Sequence, residues 1–170
     1  MNVTQLSILT AVRDGQADDL RACIESIPVG AGSPFARMPG THNGRWTVVR
    51  ADRSPAAPLR AGGLPHPMLM FSAVIDPPPK EWLRTCVDTL GPLTSGIWSH
   101  CAGWPGDDRV VSWLLGHRVK PWLAFSTWDA PVDRITEALT LRGCIERFAV
   151  RMQRSPSDEL RAGFEATFST

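Results

Sequence analysis

Two groups of residues have the types and spacing to do chemistry. The first is Arg37, His42 and Arg45, within and just after an irregular stretch rich in Gly and Pro. Two guanidiniums and an imidazole can hold a carboxylate, enolate or phenolate, with arginine offering a planar fork of donors. His42 can serve as a general base, since an imidazole titrates near neutral pH. The plainer reading gives Arg37 and Arg45 to surface ion pairs and His42 to a turn. The second group is Ser99-His100-Cys101-Ala102-Gly103-Trp104. His100 reads either as a catalytic or ligating imidazole, or as a helix C-terminal residue favoured by the dipole. Cys101 is adjacent in sequence and points about 100° away on a helix, so it reads as packing rather than as a paired nucleophile.

A third set lies on strands. Ser72 follows Phe71, and Ser126 follows Phe125 at a matching point of a second apolar run. Hydroxyls among Leu, Met, Phe and Trp suit an apolar pocket with a few orienting polar groups. Trp46, Trp104 and Trp128 are candidate walls for a planar ligand, with burial in the core as the alternative. Asp76 and Asp129 each precede a proline-led helix and read as caps rather than as acid–base carboxylates.

The elements that position these residues follow a repeated pattern of apolar run, Asp and helix. The runs are Leu6–Val12, Leu69–Ile75 and Ala124–Trp128, and helices follow to Ile27, over Lys80–Leu90 and over Val132–Met152. A further strand is expected over Arg45–Ala51 and a helix over Asp107–His117. Alternation along that strand sets Arg45, Thr47 and Val49 on one face and Trp46, Val48 and Arg50 on the other. The order predicts an α+β fold, a ferredoxin-like βαββαβ unit with a four-stranded antiparallel sheet, one inserted helix and C-terminal helices. Residues 1–152 form this domain, and 153–170 form a tail helix or flexible segment with Leu160, Phe164 and Phe168 on one side. The uncovered sheet face then needs a second subunit, a ligand or the long loops.

Composition narrows the function classes. The chain has 170 residues, with 18 Lys+Arg against 17 Asp+Glu, so no global field favours nucleic acid or an anionic membrane. Only Lys80 and Lys120 are lysine, and seven Trp and six Phe stand beside no Tyr. A tyrosyl phenol therefore plays no part in any mechanism. Apolar runs stay far below the roughly 20 residues that span a bilayer, and a cytoplasmic location is the expectation. Cys23, Cys86, Cys101 and Cys144 contain no CxxC pair, and the histidines show no HxH or HxxxH spacing, so no protein-built metal site is expected. There is no GxGxxG, Walker A, GxSxG or HExxH motif.

The segments Ser33–His42 running into Arg45-Trp46, the Phe71-Ser72 strand and Ile97–Pro105 resemble a bacterial family of mostly unassigned proteins. Its element order is similar to that of the dimeric α+β barrel superfamily. Asn43 and Gly44 depart from the aromatic and small apolar pair usual there. The resemblance implies a homodimer around an apolar pocket. It also implies a small enzyme of specialised metabolism, a cyclase, isomerase or cofactor-independent oxygenase acting on a hydrophobic polyketide-like or aromatic molecule. His42, Arg45 and His100 would be catalytic, with Arg37, Ser72, Ser126, Trp46, Trp104 and Trp128 binding substrate. No cofactor is expected. A haem enzyme of the same superfamily and a non-catalytic ligand-binding or assembly module are the alternatives.

Overall fold

A computed structural model describes residues 3–50, 64, 66–76, 78–120 and 130–168. Strand β1 (Thr4–Ala11) leads to helix α1 (Ala17–Glu25). Two 3₁₀ turns, Gly30–Gly32 and Pro34–Arg37, then precede strands β2 (Thr41–Val49) and β3 (Met68–Ile75). Helices α2 (Pro79–Trp98) and α3 (Val110–Gly116) follow, then α4 (Val132–Arg151) and α5 (Ser157–Phe168). The fold is α+β, and the described strands form one antiparallel sheet in the order β1-β3-β2. The run Ala124–Trp128, expected as a fourth strand, lies outside the described residues, as do Ser126 and Trp128 within it. Beside the outer edge of β1, Leu9 N–H donates to His117 O and Val119 N–H donates to Ser7 O, an antiparallel bridge.

Alternation decides which face of the sheet is core. Leu6, Ile8 and Thr10 of β1 are buried with Leu69, Phe71, Ala73 and Ile75 of β3. Against them α2 sets Trp82, Leu83, Cys86, Leu90, Ile97 and Trp98, recurring at the three- and four-residue steps of one helix face. Each of the large side chains contributes about 1.5–3 kcal/mol by leaving water. Helix α2 bends at Gly91-Pro92, where proline removes an amide donor. The Thr94 and Ser95 hydroxyls both donate to the Gly91 carbonyl at the bend. The opposite face carries the partly exposed residues, including the cross-strand row Ser7, Ser72 and Arg45.

Strand β2 begins at Thr41 rather than at the expected Arg45, so His42 sits in a strand and not in a loop. The cause is local. Gly40 turns the chain with φ +64°, and a register shift between Thr41 and Asn43 admits His42 as an extra residue.

The chain divides into two compact units, Met1–Val132 and Asp133–Thr170. In the second, the Phe148, Phe164 and Phe168 rings pack with centroids 4.9 to 6.0 Å apart. Neither α4 nor α5 contains a buried residue. No described helix is long and apolar enough to cross a membrane.

Candidate functional site

The start of β2 and the end of β3 bring an imidazole and a carboxylate together. His42 Nε2 lies 3.1 Å from Asp76 Oδ1, with the histidine side chain 11% exposed and the aspartate 24%. Asp76 N–H donates to Gly40 O at 2.8 Å, which fastens the strand exit to the turn before His42. The second carboxylate oxygen, Oδ2, accepts from the Val132 amide at 3.2 Å. One residue from His42, Thr41 Oγ1 accepts from the buried Trp82 Nε1 at 2.8 Å. Both oxygens of Asp76 are thus occupied, and the Nδ1 atom of His42 has no hydrogen-bond partner among the described residues.

Asp76 does not cap α2. The N-cap position is Pro78, without a side-chain cap bond, and residues 77–79 are all proline, with no amide hydrogen to offer. The carboxylate turns instead to His42 and Val132. A carboxylate that holds one imidazole nitrogen fixes the tautomer and ring orientation. The other nitrogen is then positioned to take or give a proton.

Two clefts are lined by residues before and after His42 in the chain, and neither includes His42 or Asp76 in its lining. One, of about 340 Å³, is bordered by Ser26, Pro34, Arg37, Thr89, Leu90 and Leu93. The other, of about 230 Å³, is bordered by Ile24, Val29, Ser33, Phe35, Gly44 and Arg45, and both share Ile27 and Pro28. Arg37 and Arg45 are exposed and have no carboxylate partner among the described residues, so the surface ion pairs considered for them do not form there. Gly44 has a steric reason: a Cβ there would lie 2.9 Å from the Phe35 ring, which packs tilted against Trp46 with centroids 4.7 Å apart.

The remaining expected site residues are dispersed. His100 Nδ1 is 2.7 Å from Gln16 Oε1, and its carbonyl accepts from Arg13 N–H just beyond the end of β1. His42 faces the other end, where Thr41 and Thr4 both register with Ile75 while Ala11 registers with Met68. Seven strand steps at about 3.3 Å each put about 20 Å or more between the two histidines. The structure therefore brings His42 together with Asp76 and not with His100. Trp46 is core, 7% exposed, against Phe35 and Phe71. Trp104 is half-buried and stacks edge-on against Trp113 at 5.7 Å. Ser72 lies between Ser7 and Arg45 in the cross-strand row.

Both Cys86 and Cys101 are buried, and burial pushes the Cys86 thiol up to about 12. Burial also raises the Cys101 thiol, against the lowering influence of the Thr10 hydroxyl and the Arg13 charge. A neutral thiol is a poor nucleophile, which fits Cys101 to packing. Among the described residues no three of His, Cys, Asp and Glu are grouped to hold a metal ion.

No family model, curated protein or solved structure matches this chain.

Proposed function

We propose that this protein is a small-molecule enzyme of the acid–base type, in which His42 moves a proton and Asp76 positions and stabilises it. The observation that carries the reading is the Nε2–Oδ1 contact of 3.1 Å at a side chain only 11% exposed. In this reading His42 Nδ1 removes a proton from a carbon made acidic by an adjacent carbonyl. Asp76 favours the imidazolium so formed, and the proton returns to a different atom of the substrate. That is the core of an isomerisation or a cyclisation, and it requires no cofactor. Arg37 and Arg45, lacking described carboxylate partners beside two mainly apolar clefts, are the cations available to a substrate enolate or carboxylate. The substrate class that suits these clefts is hydrophobic with an acidic or carbonyl group, as the resemblance to polyketide and aromatic-pathway enzymes implies.

The ferredoxin-like architecture belongs to the same proposal. The β1-β3-β2 order and the antiparallel bridge from Val119 and His117 to β1 support a fourth strand on that edge. A cytoplasmic location is likewise proposed.

The test uses 5-nitrobenzisoxazole, an apolar probe that loses its C3 proton to a base as its N–O bond breaks, giving the coloured cyanophenolate. His42→Ala is expected to lower turnover by about 100-fold or more, the usual contribution of a placed base. Equal turnover in wild type and His42→Ala refutes the enzyme reading and favours a ligand-binding module.

A further inference from the structure

The second unit presents a physical problem that the proposed site does not touch. Its two helices, α4 and α5, contain no buried residue, and Leu139, Leu141, Ile145, Val150, Leu160 and Phe164 are 44–70% exposed. A unit below about 40 residues lacks the volume for a core and requires a disulfide, a metal or association. Cys144 is free, and no described metal cluster exists.

The pattern on α4 identifies the occupant. At 100° per residue, Ile135, Leu139, Ile145 and Val150 fall within an arc of about 140°. Within that arc the charged residues are Arg142 and Glu146, which form an ion pair of 2.8 Å along the helix. They stand two residues to either side of Cys144. A second α4 laid antiparallel and centred on Cys144 therefore sets each Arg142 level with the partner's Glu146. It also sets Leu139 level with Ala149, and repeats every contact about a two-fold axis. The unit holds six arginines and six carboxylates, which gives no reason for a strongly charged partner such as nucleic acid or an anionic bilayer. Its polar groups complement themselves.

We infer that the α4–α5 hairpin is a dimerisation element, and that its partner is the same α4 face of a second copy of this chain, packed antiparallel with reciprocal Arg142–Glu146 pairs. The inference stands independently of the His42 chemistry.

The experiment is sedimentation equilibrium on the full chain at about 50 μM. The wild type is expected to be a dimer, and Leu139→Glu with Val150→Glu a monomer. All seven tryptophans lie in residues 1–132, so their fluorescence reports whether the first unit of each variant remains folded. Charge exchange gives the decisive comparison. Arg142→Glu alone and Glu146→Arg alone each place like charges across the two-fold and are expected to be monomeric. Mixed in equal amounts they are expected to form a heterodimer with opposite charges at every level. The pair within one helix cannot produce that restoration. A monomeric wild type, or a mixture that stays monomeric, overturns the inference. So does a dimer that survives Leu139→Glu with Val150→Glu, or a monomeric wild type that floats with phosphatidylglycerol vesicles.

Discussion

His42 Nε2 and Asp76 Oδ1 meet at 3.1 Å across 34 residues of chain, one at the bulged start of β2 and the other just past the end of β3. Two features hold that meeting in place. The Asp76 amide is anchored on Gly40 O, and the proline run after Asp76 has no amides to compete for its carboxylate.

Gly40 adopts φ +64°, and a Cβ there would lie 3.2 Å from the Asp76 carboxylate. Gly40→Ala is therefore expected to cost about 1–2 kcal/mol through backbone strain. It should also loosen the His42–Asp76 contact. Thermal unfolding measures the first effect. The His42 ring nitrogens in a nitrogen-15 spectrum report the second, because Nε2 should lose its preference for the proton.

Gly44 has no positive φ, and its constraint is the Phe35 ring 2.9 Å from where a Cβ would stand. Gly44→Ala is expected to cost about 1–3 kcal/mol as an overpacked contact. Placing it together with Phe35→Leu should recover part of that loss. Chemical denaturation of the four chains of this cycle gives the coupling, and strict additivity contradicts the contact.

Phe71 packs its ring against Phe35, Trp46, Trp82 and Trp98, with centroids 5.3 to 6.2 Å away. Phe71→Ala should cost about 3–5 kcal/mol, the range for removing a buried aromatic ring. Urea unfolding followed by tryptophan fluorescence checks it, and a loss below about 1 kcal/mol contradicts the described core.

The thiols set an alkaline limit on stability. Cys86 titrates near 12 when folded, against 9.0 ordinarily, because burial disfavours the thiolate. The raised value means that its contribution is fully present below about pH 9. Above that the unfolded thiol ionises while the folded one does not, and stability falls until the folded thiol also titrates, near 12. The slope is about 1.4 kcal/mol per pH unit for this group. Denaturant midpoints between pH 8 and 11 test the sign, and Cys86→Ala should flatten the decline. A thiol reagent at pH 8 should modify Cys23 and Cys144 before unfolding, and Cys86 and Cys101 only after it.

Much of the scaffold was legible in the residues themselves. The apolar run Leu69–Ile75 marks its strand, and the helix expected over Lys80–Leu90 is the first part of α2, which continues past the Gly91-Pro92 bend to Trp98. Alternation along β2 sets Trp46 and Arg45 on opposite faces without saying which is inward, and the structure makes Trp46 core and Arg45 exposed. The expected tail helix with Leu160, Phe164 and Phe168 matches α5. The site was legible only by half. His42 stood out by type, but Asp76 read as a helix cap, since local spacing cannot show that β2 and β3 pair their ends. The proline run was the available signal: Pro77, Pro78 and Pro79 leave a preceding carboxylate nothing local to cap. His100 is separated from His42 by the fold. Its residue type suggested chemistry shared with His42, whereas strand direction puts it beyond the opposite end of the sheet beside Gln16.

The central claim is that His42 and Asp76 act as one unit on a proton. It is tested most directly by 5-nitrobenzisoxazole turnover in wild type, His42→Ala, Asp76→Asn and the double variant. Turnover is expected to fall about 100-fold or more for His42→Ala and at least tenfold for Asp76→Asn, with no further loss when the two are combined. Losses that multiply in the double variant, or full turnover in Asp76→Asn, contradict it.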